Sequence, residues 1–109
     1  MTTITIFKSN QDDYKGFTCN GHAGFAKFGR DIVCASISVL VINPINSLEE
    51  LAHENIKVEN DEKTGYINCR FDHKINDQSK LLLDSMVLGL KCIAEQYGEK
   101  YVRLKFEEV

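Results

Sequence analysis

Apolar and polar side chains alternate in five segments of the chain, which is the spacing of a β-strand. Two of these segments, 2–7 and 14–22, are separated by a short polar stretch and predict a β-hairpin. Two more, 56–60 and 64–71, flank a polar turn and predict a second hairpin. The last segment, 100–106, alternates with three apolar residues that we expect to face inward, namely Val102, Leu104 and Phe106.

A longer apolar segment after the second strand predicts the first helix. Asp31 is a suitable N-cap, because its side chain can accept a backbone N–H, and the helix should begin at Ile32. Pro44 either kinks this helix or starts a second segment that ends near Ala52, because proline cannot donate to the preceding turn. Ser47 precedes a glutamate at the spacing of a capping box, which favours a restart or a local irregularity there.

The second helix has apolar residues at spacings of three and four. Asp77 or Ser79 caps its beginning, it extends to about Tyr97, and Gly98 is a suitable C-cap. The elements therefore follow the order ββαββαβ in a single domain, residues 1–109. The simplest packing of that order is a two-layer α+β fold, in which two helices cover one face of a mostly antiparallel sheet.

Charge and composition argue against several functions. The net charge of −3 gives no general attraction to nucleic acid, whose binding requires Lys and Arg to neutralise phosphates. The first residues lack the basic and apolar regions of a secretion signal. The longest strongly apolar segment, Ile32–Ile42, would span only about 16 Å as a helix, short of the roughly 30 Å of a bilayer core. We therefore expect a cytoplasmic protein without membrane contact, whose cysteines are reduced thiols.

Cys34 lies in the first turn of the predicted helix, where backbone N–H groups lack intrahelical partners and the helix dipole is positive. Both effects favour a reactive thiolate. A free cysteine is more often a small core residue, and Cys34 taken alone fits that interpretation better. The residues around it are apolar, however, so Cys34 and Ser38 form a chemically distinct stripe on the helix.

His22 ends the second predicted strand, and the loop after it leads into the helix that carries Cys34. A histidine next to glycine is most often a surface turn residue. An imidazole within hydrogen-bond reach of a thiol can also take its proton and later protonate a leaving amine, and these are the minimal parts of a cysteine hydrolase. Asp31 can serve as a helix cap, orient His22, or hold a substrate N–H.

Two other kinds of site compete with this interpretation. Cys19, His22, Cys69 and His73 provide the ligand count of a structural zinc site, but both cysteines lie inside alternating strands and the sequence has no compact zinc knuckle. The glycines of the 23–30 loop have the spacing of a phosphate loop, but Arg and Asp follow where a Walker motif needs Lys and then Ser or Thr. We favour neither site and expect no metal.

A paired signature runs through this part of the chain: G-H-A at 21–23, a loop with two glycines, then D-I-V-C-A at 31–35 and Ser38. It closely resembles the ribosomal-processing cysteine protease family, Prp. The order of strands and helices and the chain length also resemble that family across essentially the whole sequence. Gly21, Asp31 and Ser38 match signature positions near the expected site.

This resemblance implies a cytoplasmic bacterial endopeptidase that is usually a homodimer and needs no cofactor. Such enzymes remove a short N-terminal extension from a large-subunit ribosomal protein of the bL27 type, and they cut just after a pair of aromatic residues. By the same resemblance, His22 is the general base and Cys34 the nucleophile. The backbone N–H groups of Cys34 and Ala35 are candidates for holding the oxyanion.

The loop between His22 and Asp31 carries Phe25 and Phe28 between glycines. This composition suits a lid that closes over an aromatic substrate segment, and it suits equally well a plain surface loop whose phenylalanines touch the core. One alternative for the whole protein is a non-catalytic binding module of the ribosome-assembly machinery, in which Cys34 is only a core residue. A small zinc-binding domain is the weaker alternative.

Overall fold

The computed structural model describes residues 1–27 and 29–109, and over these residues the order ββαββαβ is confirmed. Seven elements make up the described fold: β1 (Thr2–Lys8), β2 (Tyr14–Asn20), α1 (Ile32–Glu50), β3 (Lys57–Asp61), β4 (Tyr66–Arg70), α2 (Asp77–Tyr97) and β5 (Val102–Glu108).

The strands form one sheet in the order β3-β4-β2-β1-β5. Three of the four neighbouring pairs are antiparallel, and only β1 and β5 run parallel, so the sheet is mixed and mostly antiparallel as predicted. The two helices contact each other and therefore share one face of the sheet. Between sheet and helices lies a core that includes Ile4 and Phe17 from the strands, Val41 from α1 and Leu83 from α2.

Helix α1 continues through Pro44, so the predicted second segment starting there is wrong. Proline removes one hydrogen bond from the helix, but Pro44, Ile45 and Leu48 are all buried, and this packing favours a continuous helix. Ser47 is not a cap. Its carbonyl instead accepts the N–H groups of Leu51 and Ala52 where the helix ends.

Because it does not stop at Ile42, α1 is longer than the apolar segment considered above. Its 19 residues span about 28 Å, and its mean hydropathy of 1.6 reaches the range of membrane-spanning helices by length and composition. Val33, Ile37 and Val41 line one side of the helix and are buried in the core of the domain. The buried core helix of a globular domain can have the same length and hydropathy as a membrane-spanning helix.

The structure corrects the predicted cap of α2 and shows how far the core covers β5. Asn76, and neither Asp77 nor Ser79, is the N-cap of α2, since its side-chain oxygen accepts the N–H of Ser79 at 2.8 Å. Phe106 lies on the predicted inward face, because it pairs with the buried Ile6 of β1, but it is 49% exposed and only the ammonium group of Lys91 lies over its ring. The residue belongs to an edge strand, which the core covers only at its beginning.

His73 connects the end of α1 to the beginning of α2. Its Nδ1 lies 2.8 Å from a carboxylate oxygen of Asp72, and its Nε2 lies 2.7 Å from one of Glu54. The second oxygen of Glu54 accepts the N–H of Asn76 and the hydroxyl of Ser79. The hydrogen bonds to Asp72 and then to Glu54 raise the pKa of His73, because an imidazolium can donate to both carboxylates.

This arrangement makes the stability of the fold depend on pH. A raised pKa stabilises the folded state fully below about 6.5, the ordinary value for histidine, and this contribution is lost as the pH rises through the folded-state value. We expect the free energy of unfolding to decrease as the pH rises above about 6.5. In His73→Gln, the part of this decrease that comes from His73 should be absent. The effect is small, since the ring is 36% exposed and solvent screens the charges.

Urea unfolding of the native chain and of His73→Gln between about pH 5 and pH 8 measures how the free energy of unfolding of each depends on pH. His22 and His53 are present in both proteins, so the comparison isolates the contribution of His73. Identical pH dependence in the native chain and in His73→Gln would contradict the prediction.

Candidate active site

His22 is held just beyond the end of β2 by a constrained backbone at Gly21. This glycine has a φ of +91°, and a Cβ there would lie 2.5 Å from the carbonyl oxygen of Met1. The carbonyl of Gly21 accepts the hydroxyl of Thr2 at 3.3 Å. Any other residue would push β2 away from the start of β1, so Gly21 fixes the point from which the imidazole projects.

Cys34 is held by the start of α1. The side chain of Asp31 accepts the N–H of Cys34 at 2.9 Å, which confirms Asp31 as the N-cap. The thiol is half-buried and lies at the positive end of the helix dipole.

These two side chains meet. The Sγ of Cys34 lies 3.8 Å from the Nδ1 of His22, within hydrogen-bond reach for sulfur. On the opposite side of the ring, Nε2 lies 3.2 Å from the carbonyl oxygen of Lys63, in the turn between β3 and β4. A thiol beside an imidazole nitrogen is the arrangement in which a cysteine can lose its proton and attack a carbonyl carbon.

Asp31 also ties the loop to the helix. While one carboxylate oxygen caps α1, the other accepts the N–H of Phe25 at 2.9 Å. Desolvation acts to raise the pKa of Asp31, but hydrogen bonds from the backbone of Cys34 and Phe25 outweigh it and lower the pKa. The charged form of the carboxylate is therefore favoured, and it would repel a phosphate in this loop.

Asp31→Ala should destabilise the fold by about 0.5–2 kcal/mol, the usual cost of losing an N-cap, and release the loop. Asp31→Asn retains an oxygen acceptor and should lose less. Thermal unfolding measures the first effect, and hydrogen exchange at the Phe25 N–H measures the second. The backbone N–H groups bond the charged carboxylate more strongly than the neutral acid, so the difference between the native chain and Asp31→Ala should decrease as the pH falls below about 4. Equal protection of the Phe25 N–H in all three proteins would contradict the assignment.

Ser38 lies one turn after Cys34, and its hydroxyl donates to the Cys34 carbonyl at 2.9 Å. The two backbone groups considered for the oxyanion are both occupied in this conformation. The N–H of Ala35 donates to the Asp31 carbonyl at 3.0 Å, and that of Cys34 donates to the Asp31 side chain. An oxyanion held by either group must therefore displace one of these bonds.

Phe25 packs away from the thiol. Its ring makes edge-to-face contacts with Tyr97 and Tyr101, with centroids 5.6 and 5.2 Å away. The ring is 40% exposed and lines neither of the two cavities around the sulfur. Phe28, the other aromatic residue of the proposed lid, lies outside the described residues.

Two cavities flank the Cys34–His22 pair. The inner groove, about 340 Å³, lies between α1 and the β3–β4 hairpin, and its walls include Ile37, Val41, Ile42, Asp61, Tyr66 and Ile67. The loop groove, about 420 Å³, is bounded by Gly24, Ala26, Gly29, Asp31 and Ala35. His22, Cys34 and Ser38 line both. The sulfur is thus accessible from two sides.

The zinc ligands suggested by the sequence do not converge. Over residues 1–27 and 29–109, the structure brings together no three His, Cys, Asp or Glu side chains in the geometry of a metal site. Cys19 and Cys69 are buried in the sheet, where burial raises the pKa of Cys19 to about 11 and that of Cys69 to about 12. Both thiols are therefore protonated and unreactive near neutral pH.

The turn between β3 and β4 was predicted from the sequence, but its contact with His22 was not. Lys63 is 41 residues away from His22, and it contributes a backbone carbonyl, which every residue possesses. The only local signal is Gly65, whose φ of +68° brings the turn close to Gly21.

Comparison with known proteins agrees with the fold. The family model for cysteine protease Prp matches residues 1–103. The ribosomal processing cysteine protease Prp of Staphylococcus aureus is 29% identical over 107 residues, which cover 98% of this chain and 100% of the relative. The protein of the same name from Bacillus subtilis is 30% identical over 103 residues, covering 91% of this chain and 92% of the relative.

Solved structures are similar over the same length. The S. aureus protease Prp with a covalently linked product peptide superposes with a TM-score of 0.92 at 29% identity, covering 98% of this chain and 100% of that one. The same protease with a substrate peptide gives a TM-score of 0.87 at 28% identity, with the same coverage. The chain therefore belongs to the Prp family of cysteine proteases, enzymes that hydrolyse peptide bonds.

Proposed function

We propose that the protein is an endopeptidase that removes the N-terminal extension of a large-subunit ribosomal protein of the bL27 type, cutting after an aromatic pair with His22 and Cys34 as its catalytic dyad. The observation that carries this proposal is the 3.8 Å separation of the Cys34 sulfur and His22 Nδ1. The names of the relatives, ribosomal processing proteases, and the peptides in two related structures support the substrate class.

The reaction begins with proton transfer between Cys34 and His22. Nδ1 of His22 takes the proton of the Cys34 thiol, and the thiolate attacks the scissile carbonyl carbon. The tetrahedral intermediate collapses as the imidazolium gives its proton to the leaving amine, and a thioester joins Cys34 to the substrate. Water, deprotonated by His22, then hydrolyses the thioester and restores the free thiol.

The two grooves fit a substrate that extends on both sides of the scissile bond. The inner groove has apolar walls, among them Val41 and Ile42 of α1 and Tyr66 of β4, and these suit an aromatic side chain. We place the other side of the peptide in the loop groove, so that the scissile bond lies at Cys34, which lines both grooves.

We also propose that the protein is a cytoplasmic homodimer. Its substrate is a peptide, and it binds neither nucleic acid nor membrane. The four free cysteines, Cys19, Cys34, Cys69 and Cys92, are typical of a reducing compartment. A net charge of −3 favours a peptide substrate over the phosphate backbone of a nucleic acid. Sedimentation of the purified protein measures the oligomeric state.

The test of the function is cleavage of a synthetic peptide that contains an aromatic pair near its middle, followed by mass spectrometry. We expect one cut, directly after the pair, and no cut in a matched peptide whose pair is replaced by alanines. Uncleaved peptide together with slow alkylation of Cys34 by iodoacetamide near neutral pH would instead favour the non-catalytic binding module.

A further inference from the structure

We propose that the turn between β3 and β4, residues 61–65, is a positioning element that sets the protonation and orientation of the His22 ring. The inference rests on the proposed role of His22 as the base for Cys34. It assigns a function to a segment that carries no acid, base or nucleophile of the reaction itself.

The first argument is the hydrogen bond to the ring. His22 Nε2 lies 3.2 Å from the carbonyl oxygen of Lys63, and a carbonyl oxygen can only accept. Nε2 must therefore carry the proton in the neutral ring, and the lone pair lies on Nδ1, the nitrogen that is 3.8 Å from the sulfur. The opposite tautomer would place an N–H against the thiol and two lone pairs against each other at Lys63.

The same bond serves the charged intermediate. When the thiol proton moves to Nδ1, the S–H bond breaks, an N–H bond forms, and the ring becomes an imidazolium with an N–H on both nitrogens. The Lys63 carbonyl keeps its hydrogen bond from Nε2, which strengthens as the donor becomes positive. The turn thus favours the ion pair that precedes attack on the substrate.

The second argument is the close approach of Gly65. Its φ is +68°, and a Cβ built there would lie 2.4 Å from the carbonyl oxygen of Gly21 and 3.1 Å from Cε1 of the His22 ring. Only glycine allows the turn to touch both the backbone that precedes His22 and the edge of its ring. The Gly21 carbonyl is held from its other side by the buried Thr2 hydroxyl.

The third argument is that the turn is braced from within. Asp61 Oδ1 accepts the N–H of Lys63 at 3.0 Å, and the N–H of Gly65 donates to the Glu62 carbonyl at 3.3 Å. These bonds hold the Lys63 carbonyl in place while the Lys63 side chain stays in solvent. All five residues of β3 are exposed, so changes in the turn disturb the core little.

Gly65→Ala tests the proposal, with Gly98→Ala as the matched control. Gly98 also has a positive φ, +85°, but a Cβ there meets nothing within 4 Å. Both variants therefore carry the backbone strain of alanine at positive φ, and only Gly65→Ala displaces His22. We expect Gly65→Ala to lower kcat for the peptide about 10- to 100-fold with little change in KM, and Gly98→Ala to stay within about twofold of the native chain.

Nitrogen NMR of the isotope-labelled His22 ring supplies a readout that does not depend on turnover. We expect the Nε2-protonated tautomer in the native chain and in Gly98→Ala, and a mixture of tautomers in Gly65→Ala. If neither the native chain nor any variant cleaves peptide, the proposed endopeptidase function is wrong. The NMR measurement of the His22 tautomer still tests the positioning role of the turn in that case. Native tautomer and native kcat in Gly65→Ala, or equal losses in both glycine variants, would overturn the proposal.

Asp61 provides a second pair of variants should Gly65→Ala fail to fold. Asp61→Ala removes the brace on the Lys63 N–H, whereas Asp61→Asn keeps an oxygen acceptor at the same place. We expect Asp61→Ala to lower kcat and to mix the tautomers, and Asp61→Asn to restore both. Equal tautomer populations in the two variants would also overturn the proposal.

Discussion

Cys34→Ala should abolish peptide cleavage and leave the fold in place. Loss of the proposed nucleophile would remove the thioester intermediate altogether, and we expect turnover to fall at least about 10³-fold. Alanine suits the first turn of a helix, and the thiol is only half-buried, so the free energy of unfolding should change by no more than about 1 kcal/mol. Cleavage assays and thermal unfolding measure the two quantities on the same preparation.

Cys92→Ala is the matched control for this variant. Cys92 is also a free cysteine on a helix, but it is exposed on α2 and lines neither groove. It should retain full activity. Cleavage by Cys34→Ala at the native rate would exclude a covalent mechanism through this thiol and with it the proposed function.

His22→Gln should lower kcat about 10²- to 10⁴-fold, the range supplied by a positioned general base. Glutamine can keep a hydrogen bond to the Lys63 carbonyl, but it cannot take the thiol proton or return it to the leaving amine. A second consequence is chemical: the rate of Cys34 alkylation by iodoacetamide should lose the pH dependence that the neighbouring imidazole confers. Both measurements use one protein sample.

The control is His53→Asn, which removes a histidine that is exposed and distant in the fold. Asn tolerates the positive φ of +53° at this position. It should cleave peptide normally and show the native alkylation profile. An alkylation profile unchanged in His22→Gln would show that the thiol is activated without the ring.

Parts of the site whose interactions are local along the chain could be predicted from the sequence. Asp31 and Cys34 are three residues apart, and a capping side chain reaches that distance in any helix. Predicting that His22 contacts Cys34 required the Prp signature as well, because the glycine-containing loop between them has no periodicity that fixes the positions of its two ends.

Other parts depended on contacts that leave no mark in the local sequence. Pro44 argued for a break in α1, and burial of the surrounding helix face overrode it. Phe106 fits the alternation of β5, but the strand continues past the edge of the core. Lys63 contributes only its carbonyl to His22, so no side-chain pattern could indicate the contact.

The parallel pairing of β1 with β5 links the assembly of the site to the order of synthesis. β5 is made last, yet Thr2 pairs with Val102, and its N–H donates to the Tyr101 carbonyl at 2.9 Å. The hydroxyl of the same threonine holds the Gly21 carbonyl next to His22. A nascent chain that still lacks β5 therefore carries its thiol and its imidazole on a sheet without this support, and we expect the geometry of the site to be complete only after β5 has joined the sheet.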